Sequence, residues 1–363
     1  MRYPSPGFRG SNSGRTRGRF YRRPPSTLCG AIMPELLPIS PPKRHVVEKL
    51  RPDGNVKRRT VFKPATPEDL RIHWRMLANL QSIQWEFPHS VGSLPGSHLI
   101  DNVTPHISAE SEQFYLLDLK SAFPSVDTDF ALRAVYDGIR TRRGRDEAAE
   151  AARFMVETSY MGRTQDEKPD KMMYGLLQGL PCSPLFFDII SQALDMRLRR
   201  HLQRVFGDDV VYTRYIDDLT FSSRRAAFTR RRRKDIVAQI ETLPGYIVNH
   251  DKTRCQSLGR GTLTVTGLDM RRNRKWPTDR RVLVAPSGSQ LASVEQEINE
   301  MTRKLREDLP ITLSEKAHFY GMGSILHMAG DPSKSPMSSV RTLKRRFREV
   351  DKELKKLPSG RLF

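Results

Sequence analysis

The chain has 363 residues, enough for one large domain or for two to three smaller units around a substantial core. Its 62 Lys and Arg residues outnumber 41 Asp and Glu residues, which gives a formal charge of +21. This charge points to a polyanionic partner, with nucleic acid first and an anionic membrane surface as the alternative. No apolar run approaches the roughly 20 residues that span a bilayer, so integral membrane proteins are excluded.

The cysteines and the N-terminal composition set the expected surroundings of the chain. Cys29, Cys182 and Cys255 are widely spaced and form no Cys-x-x-Cys pattern. This argues against a disulfide framework or a zinc site and favours a reducing, intracellular setting. Residues 1–45 are rich in Arg, Gly, Ser and Pro with little apolar periodicity, so we expect a disordered basic arm. It either contacts RNA backbone or is a solvated tail.

Order should begin at His45. The run Lys57–Pro64 predicts a short strand that carries several cations, and Pro67–Trp85 follows as a predicted helix. The apolar residues of that helix recur at helical spacing, which predicts one buried face: Leu70, Trp74, Leu77 and Leu80.

A second strand is predicted to end at Asp118. Residues Phe114 to Leu117 are apolar, and the pattern turns polar at Asp118, before Pro124 and Ser125 break the strand. Asp127 is a candidate N-cap for a helix with an apolar face of Phe130, Ala134, Val135 and Ile139. This strand-to-helix step leaves the Asp118 carboxylate at the end of its strand, open to solvent and metal.

The middle of the chain is less strongly patterned. Residues 141–172 are highly charged, which favours a surface helix and a loop. Ser183 and Pro184 are typical of an N-cap and first turn, and predict an apolar helix through Leu198. The cationic run Arg230–Lys234 favours a solvated helix face, or one that tracks template phosphates.

Val210–Ser223 is the stretch around which the chain is organised. Two runs of β-branched and aromatic residues flank Asp217 and Asp218, which predicts a β-hairpin with both carboxylates at its tip. Adjacent like charges repel, so the pair is destabilising unless a cation neutralises it; a solvated turn is the alternative. If the Asp118 strand lies alongside, three carboxylates converge into a site of hard oxygen ligands that suits Mg²⁺.

The C-terminal third alternates between strand and helix patterns. Thr262–Leu268 alternates as a strand. Two later apolar series repeat at intervals of three and four residues and predict helices that pack together: Leu291, Val294, Ile298, Met301 and Leu305, then Leu343, Phe347, Val350, Leu354 and Leu357.

Three motifs, taken together, resemble those of reverse transcriptases. Tyr215–Asp218 is similar to their catalytic signature, Asp118–Val126 to their first carboxylate motif, and Gly175–Pro184 to their nucleotide-pocket motif, in the family's order. The resemblance implies an α+β right-hand polymerase fold with an antiparallel palm sheet and a helical C-terminal thumb. It divides the chain into the basic arm at 1–45, fingers and palm at 46–285, and thumb at 286–363.

The same resemblance implies roles for individual residues. Asp118, Asp217 and Asp218 would hold two Mg²⁺ ions, with Mn²⁺ as the alternative, and Lys252 would protonate the departing pyrophosphate. Residues expected to bind the incoming deoxynucleotide are Arg59, with Lys57 and Lys63 second, then Phe123, Gln178 and Gly179. Phe123 would exclude a ribose 2′-hydroxyl, the alternative being an ordinary core residue. The family usually has Pro where this chain has Leu177.

Two further elements resemble the retron subgroup of bacterial reverse transcriptases. Asn102 and His106, in a predicted loop, match an Asn-Ala-x-x-His element with Val103 in place of Ala, and Val265, Thr266 and Gly267 match a Val-Thr-Gly element. Both are expected to bind RNA. The subgroup implies a bacterial, cytoplasmic enzyme that uses a structured non-coding RNA as template and primer and makes an RNA–DNA hybrid product.

That product is a branched RNA–DNA molecule (msDNA) used in antiphage defence, and an effector protein is a further expected partner; no membrane partner is expected. Two other functions stay open at this point. One is a defence-associated reverse transcriptase outside the retrons, protein-primed or untemplated. The other is an RNA-binding scaffold that sequesters a toxin.

Overall fold

The computed structural model describes residues 40–50, 56–159, 175–272, 282–327 and 338–356. Residues 1–39 of the predicted basic arm, residues 160–172 of the predicted surface loop, and Leu357 lie outside the described residues. So does the side chain of Lys57. The first strand begins at Lys43, two residues before the predicted start of order.

The described residues form nine strands and ten helices. The strands are β1 (Lys43–Leu50), β2 (Val56–Lys63), β3 (Gln113–Asp118), β4 (Val210–Tyr215), β5 (Asp218–Ser223), β6 (Arg254–Ser257), β7 (Leu263–Val265), β8 (Leu268–Arg272) and β9 (Val282–Pro286). The helices are α1 (Pro67–Ser82), α2 (Thr104–Ser108), α3 (Ala122–Ser125), α4 (Thr128–Arg143), α5 (Arg145–Ser159), α6 (Ser183–Phe206), α7 (Arg230–Glu241), α8 (Gly288–Arg306), α9 (Leu313–His327) and α10 (Ser338–Lys356).

Three antiparallel sheets organise these elements. β1 and β2 form a two-stranded hairpin, the central sheet has the order β4-β5-β3-β6, and β7-β8-β9 form a third sheet. Antiparallel sheets and packed helices make this an α+β fold, as predicted.

Side-chain alternation gives the central sheet two distinct faces. One face carries Tyr115, Tyr212 and Phe221, which pair across β3, β5 and β4. It packs toward α6 and α7, because Tyr212 donates to Asp195 of α6 and Arg233 of α7 lies over the Tyr115 ring. We call this the helical face.

The opposite face of the central sheet carries Phe114 and Leu116. They share a buried apolar cluster with Leu263, Leu268 and Met270 of the third sheet. Asp118 follows Leu116 by two residues, so its side chain belongs to this face, which we call the carboxylate face.

Local sequence signals explain several helix starts. Asp127 caps α4, with its carboxylate accepting from the Phe130 amide, as predicted. Thr66 and Asp69 form a reciprocal capping box at the start of α1. However, Leu70 and Trp74 of α1 are exposed, so the prediction that they belong to its buried face is wrong. Ile72, His73 and Met76 are buried instead.

Two other helix predictions need correction. Ser183 is the first residue of α6 and makes no cap, because Cys182 occupies the N-cap and the Ser183 hydroxyl is buried. α6 also continues beyond Leu198 to Phe206. α5 is not merely a surface helix, since Ala148, Phe154 and Met155 are fully buried.

The predicted strand Thr262–Leu268 and loop Ser97–His106 are also revised. Thr266 and Gly267 both have positive φ and form a two-residue turn between β7 and β8. Residues of the predicted loop form a 3₁₀ helix, Leu99–Asn102, followed by α2.

The C-terminal helices form a core of their own. Its buried residues all follow β9: Leu291, Val294, Ile298, Met301, Ile311, Phe319, Leu326, Val340, Leu343, Val350 and Leu354. Both predicted helical series are thereby confirmed within the described residues. Among those residues, no helix has the length and apolar character required to cross a bilayer.

Candidate active site

Asp118 and Asp218 face each other across two neighbouring strands. They are register partners at the last position of the β3–β5 ladder, and both lie on the carboxylate face. Asp217 precedes Asp218 in the two-residue turn of the β4–β5 hairpin, and its carbonyl accepts from the Leu119 amide at 3.0 Å. The structure therefore brings the three predicted acidic residues to one end of the central sheet.

The carboxylates are electrostatically coupled. Burial raises the pKa of Asp218 to about 7, with additional repulsion from Asp217 and Asp118. Burial also raises the pKa of Asp217, with the Asp118 charge acting in the same direction. Such a group of acids is destabilised in its ionised form and is relieved by a positive charge.

Lys252 and Asn249 hold Asp118 in place. The Lys252 ammonium lies 2.6 Å from one carboxylate oxygen of Asp118, and the Asn249 amide donates to the other at 3.0 Å. The Asn249 backbone amide also donates to the Asp118 carbonyl. The predicted catalytic lysine thus directly contacts a predicted metal ligand.

The oxygen donors of the three carboxylates are of the kind that binds divalent cations. Among the described residues, however, no three acidic, His or Cys side chains are arranged as a metal site. The Asp118 side chain keeps 14% of its surface exposed, while burial first and then neighbouring carboxylate charges raise the pKa values of Asp217 and Asp218. Hard carboxylate oxygens under mutual repulsion fit Mg²⁺. Lys252 supplies the compensating charge in this arrangement.

The hairpin tip has a strained backbone. Ile216 has φ of +56°, a left-handed conformation that is rare for a β-branched residue. Its side chain packs over Gly92, where an added Cβ would lie 2.7 Å from Ile216 Cδ1. The segment containing Gly92 also hydrogen-bonds to the edge of β4, through Val91 and His89 with Arg214. The tip is therefore supported from its outer edge.

Arg214 supports the tip from the helical face. Its guanidinium is fully buried, pairs with Asp195 through two hydrogen bonds of 2.9 and 2.7 Å, and donates to Asp188 at 2.6 Å. It also donates to the Ile216 carbonyl at 3.1 Å. Although burial alone disfavours the charge, Asp195 and Asp188 hold the pKa of Arg214 well above its ordinary value.

The predicted nucleotide-binding residues come from separate segments that meet beside the carboxylates. Arg59 and Lys63 are exposed on β2, and Arg59 is close enough to Asp217 to lower its pKa, against the stronger raising effect of burial. The Phe62 amide of β2 donates to the Gln178 carbonyl at 2.7 Å. Gly179 has φ of +107°, and an added Cβ would lie 2.7 Å from the Phe62 carbonyl oxygen.

Phe123 lies next to the same loop. Its carbonyl accepts from the Leu176 amide, and Gly175 packs directly against its backbone. The ring is only 8% exposed and stacks on Phe187 at 4.8 Å between centroids. Phe187 in turn lies beneath the Arg214 guanidinium. The Phe123 ring is therefore held by packing at the edge of the site.

The predicted RNA-binding residues are mostly internal. Asn102, His106 and Val265 are at most 1% exposed, so their side chains have no surface for RNA, and the prediction of direct contact is corrected. The reason is tertiary packing on the carboxylate face. His106 contacts the hydroxyls of Ser222 at 2.6 Å and Thr213 at 2.8 Å.

The two retron-like elements nevertheless meet. The Asn102 side-chain amide donates to the Thr266 hydroxyl at 3.3 Å, and Thr266 and Gly267 form the partly exposed β7–β8 turn. Asn102 therefore helps to position that turn.

Sequence reasoning missed Asn249, Arg214 and its two acidic partners. Asn249 lies three residues before Lys252 in the sequence, and this proximity was the available signal. Arg214 occupies the same strand face as Tyr212, and a cation at an inward position implies a buried acidic partner. Asp188 and Asp195 are seven residues apart on the apolar helix α6, which places them on one helix face.

The family model described as reverse transcriptase (RNA-dependent DNA polymerase) matches residues 56–294, about two thirds of the chain. The chain belongs to the reverse transcriptase family. This match includes the carboxylates, Lys252 and every predicted nucleotide-binding residue, and it confirms the predicted family and polymerase fold.

Curated relatives of this reverse transcriptase include retron enzymes. It is 34% identical over 205 residues to the retron Mx65 reverse transcriptase of Myxococcus xanthus, covering 53% of the chain and 44% of that enzyme. It is 28% identical over 226 residues to the retron Ec86 reverse transcriptase of Escherichia coli, covering 62% and 61%. The chain thus spans about half the length of these relatives.

Among solved structures, a Candida albicans telomerase in complex with a TWJ fragment of telomeric RNA aligns with a TM-score of 0.49 at 14% identity. The alignment covers 86% of this chain and 55% of the telomerase.

Proposed function

We propose that this protein is an RNA-directed DNA polymerase of the retron type. Family membership over residues 56–294 and the Asp118–Asp218 pairing beside Asp217 are the observations that carry the proposal. Under it, residues 46–285 act as fingers and palm, residues 286–363 as a thumb, and residues 1–45 as a basic arm.

The chain's own residues supply substrate binding and orientation. Arg59 and Lys63, exposed on β2, bind the triphosphate of the incoming deoxynucleotide, and Lys57 is assigned to the same group. The Gln178–Gly179 loop forms the wall of the pocket, because its contact with Phe62 fixes it beside β2. Phe123 excludes a 2′-hydroxyl from this pocket by its bulk.

Lys252 donates a proton to the departing pyrophosphate oxygen. The Lys252 side chain is half exposed, and its ammonium lies 2.6 Å from Asp118. When another positive charge pairs with Asp118, the ammonium can leave that carboxylate and act as a proton donor. Asp118, Asp217 and Asp218 would hold Mg²⁺, or Mn²⁺ in its place, and the bound ions supply activation of the primer hydroxyl and stabilisation of the leaving group.

The retron subtype is the finer part of the proposal. The named relatives are retron enzymes, and the Asn102–Thr266 contact joins the two elements that resemble that subgroup. The protein would then copy a structured non-coding RNA, start DNA from a 2′-hydroxyl of that RNA, and make msDNA for antiphage defence in the bacterial cytoplasm. An effector protein would complete the system.

A primer-extension assay tests the polymerase proposal. Purified protein, an RNA template with a DNA primer, Mg²⁺ and labelled deoxynucleotides should give a DNase-sensitive product. Asp217→Ala should reduce incorporation about a hundredfold or more, because it removes a metal ligand. Asp208→Ala, at an exposed acid just before β4, is the matched control and should retain activity. No product from the intact chain, or full activity of Asp217→Ala, would contradict the proposal.

A second assay tests the retron subtype. Nucleic acid that copurifies with the protein from its native host should contain one RNA joined to DNA at an internal 2′-linked branch. DNA attached to protein, or DNA without a defined template, would instead support a defence-associated reverse transcriptase outside the retrons. RNA without DNA, together with full biological activity of Asp217→Ala, would support the scaffold function.

A further inference from the structure

A group of exposed cations lies on and beside the helices that cover the helical face of the central sheet, opposite the carboxylate face. We call it the rear basic surface. It consists of Arg200 and Arg204 on α6, Arg225 after β5, and Arg230, Arg231 and Lys234 on α7.

Packing contacts fix the position of this surface. Arg232 of α7 lies 4.7 Å over the Phe206 ring at the end of α6, and Arg233 lies over Tyr115 of the central sheet. Tyr115 belongs to the helical face, whereas Asp118 and Asp218 belong to the carboxylate face. A nucleic acid engaged at the carboxylates therefore leaves the rear basic surface open.

The side chains of these cations lack acidic partners in the part of the chain that the structure describes. None of the six forms an ion pair among the described residues, whereas several cations of the C-terminal helices are paired with nearby acids. Arg303 pairs with Glu300 and Glu307, Lys304 with Glu315, and Arg346 with Glu295. Acids among the described residues therefore do not neutralise these six charges.

The positions of the cations at the start of α7 also destabilise that helix. Arg230 and Arg231 occupy its first turn, which contains no acidic residue. The amino end of a helix carries partial positive charge, so cations there are unfavourable. Intramolecular stabilisation therefore does not account for the cluster, and an external polyanion does.

We infer that the rear basic surface binds the phosphate backbone of a base-paired RNA stem, outside the polymerase cleft. This inference rests on the proposed function, since it takes the structured RNA template as the partner. Arg200 and Arg204 on α6 are four residues apart, as are Arg230 and Lys234 on α7. Each pair spans about 6 Å along its helix axis, so both helices present charge at more than one point along a duplex. Contact is with phosphates and does not read sequence.

A membrane surface fits this face less well. Helices that bind membranes insert an apolar face among the lipids. The two isoleucines of α7, Ile236 and Ile240, are fully buried, and Val237 is partly buried. The face therefore offers charge without an insertable apolar stripe.

A binding experiment with the cleft already filled tests the inference. The protein is first loaded with a short RNA template and a chain-terminated DNA primer, and a labelled RNA stem-loop is then titrated at several salt concentrations. Arg230→Ala/Arg231→Ala/Lys234→Ala should weaken stem binding about tenfold or more and reduce the slope of log K against log salt concentration by about 3. Extension of the short primer should be unchanged.

Arg133→Ala/Arg140→Ala/Arg145→Ala is the charge-matched control, since these cations are exposed on α4 and α5. It should leave stem binding unchanged. Equal loss in both triple variants, or no loss in either, would overturn the inference. The inference would also be overturned if the Arg230→Ala/Arg231→Ala/Lys234→Ala variant lost binding only to a DNA stem of the same sequence, or only to vesicles of mixed phosphatidylcholine and phosphatidylserine. Failure of primer extension in the intact protein would count against the proposed function alone.

Discussion

Arg214 is a single buried cation that joins the β4–β5 hairpin to helix α6. Replacing it by Met leaves Asp188 and Asp195 buried without their counter-ion, so we expect a loss of about 3–5 kcal/mol in the free energy of unfolding. Loss of its hydrogen bond to the Ile216 carbonyl should also release the strained tip and lower kcat for primer extension more than it changes KM. Urea denaturation and steady-state kinetics measure the two effects.

A compensated variant separates the two roles of Arg214. Arg214→Met/Asp188→Asn/Asp195→Asn removes the unpaired charges and should recover much of the lost stability. If Arg214 positions the tip, kcat stays low in this variant. Recovery of kcat along with stability would show that Arg214 acts only on folding.

His106 gives the fold a specific dependence on pH. Burial lowers the pKa of His106 to about 3, whereas an unfolded chain has a value near 6.5. Its contribution to stability is therefore complete above pH 6.5 and is lost as pH falls from there toward 3. Between pH 7.5 and pH 5 the loss should be about 2 kcal/mol.

The test compares intact protein with His106→Gln, which retains hydrogen-bonding groups but does not titrate. The variant should be less stable at pH 7.5, and the difference should narrow by about 2 kcal/mol at pH 5. Because other titrating groups are common to both proteins, they cancel in this comparison. A difference that is constant with pH would contradict the assignment of a neutral buried His106.

Residues with a strong local signal were predictable, and those set by tertiary packing were not. The position of Asp118 was predictable because an apolar strand pattern ends there, and that of Asp127 because a capping residue precedes an apolar helical pattern. Helical spacing does not predict that Trp74 is exposed. Helix α1 has apolar residues on more than one side, and the neighbouring elements determine which side is buried. His106 appeared to belong to an exposed loop because its hydroxyl partners lie more than 100 residues away.

At the scale of elements, the Gln178–Gly179 loop depends on close contact with β2. Gly179→Ala adds a methyl group about 2.7 Å from the Phe62 carbonyl and places Ala at φ of +107°. We expect the loop to move away from β2, the KM for deoxynucleotides to rise several-fold, and stability to fall by about 1–3 kcal/mol. Nucleotide titrations and thermal denaturation provide the measurements.

Gly288→Ala is the control for this substitution, because a Cβ at Gly288 meets no atom within 4 Å. It lies at the start of α8 and should leave both KM and stability close to those of the intact chain. An unchanged KM in Gly179→Ala would mean that the loop does not form the nucleotide pocket.

Element types followed largely from sequence, while element junctions did not. Two runs of β-branched and aromatic residues around the Asp pair predicted the β4–β5 hairpin, and helical spacing of apolar residues predicted α8 and α10. The turn at Thr266 and Gly267 was missed because Val-Thr-Gly-Leu continues a β-rich pattern, and two residues with positive φ interrupt it only in three dimensions. Burial of α5 was missed because its many charges conceal a short stripe of Ala, Phe and Met.

At the scale of the whole molecule, the C-terminal core is separate from the apolar cluster of the central and third sheets. The former consists of residues from 291 onward, and the latter of residues between 99 and 284, with no member in common. Leu354→Ala opens a cavity in the C-terminal core at a fully buried position and should cost about 2–5 kcal/mol there.

Because the two cores share no side chains, we expect Leu354→Ala to speed hydrogen exchange in α8–α10 while leaving the amides of β3 and β5 protected. Leu116→Ala, in the cluster between the central and third sheets, should have the reverse effect. Hydrogen exchange followed by mass spectrometry distinguishes the two patterns. Equal acceleration throughout the chain in both variants would show that the cores unfold as one cooperative unit, in which case a substitution in the C-terminal helices would also lower the stability of the carboxylate site.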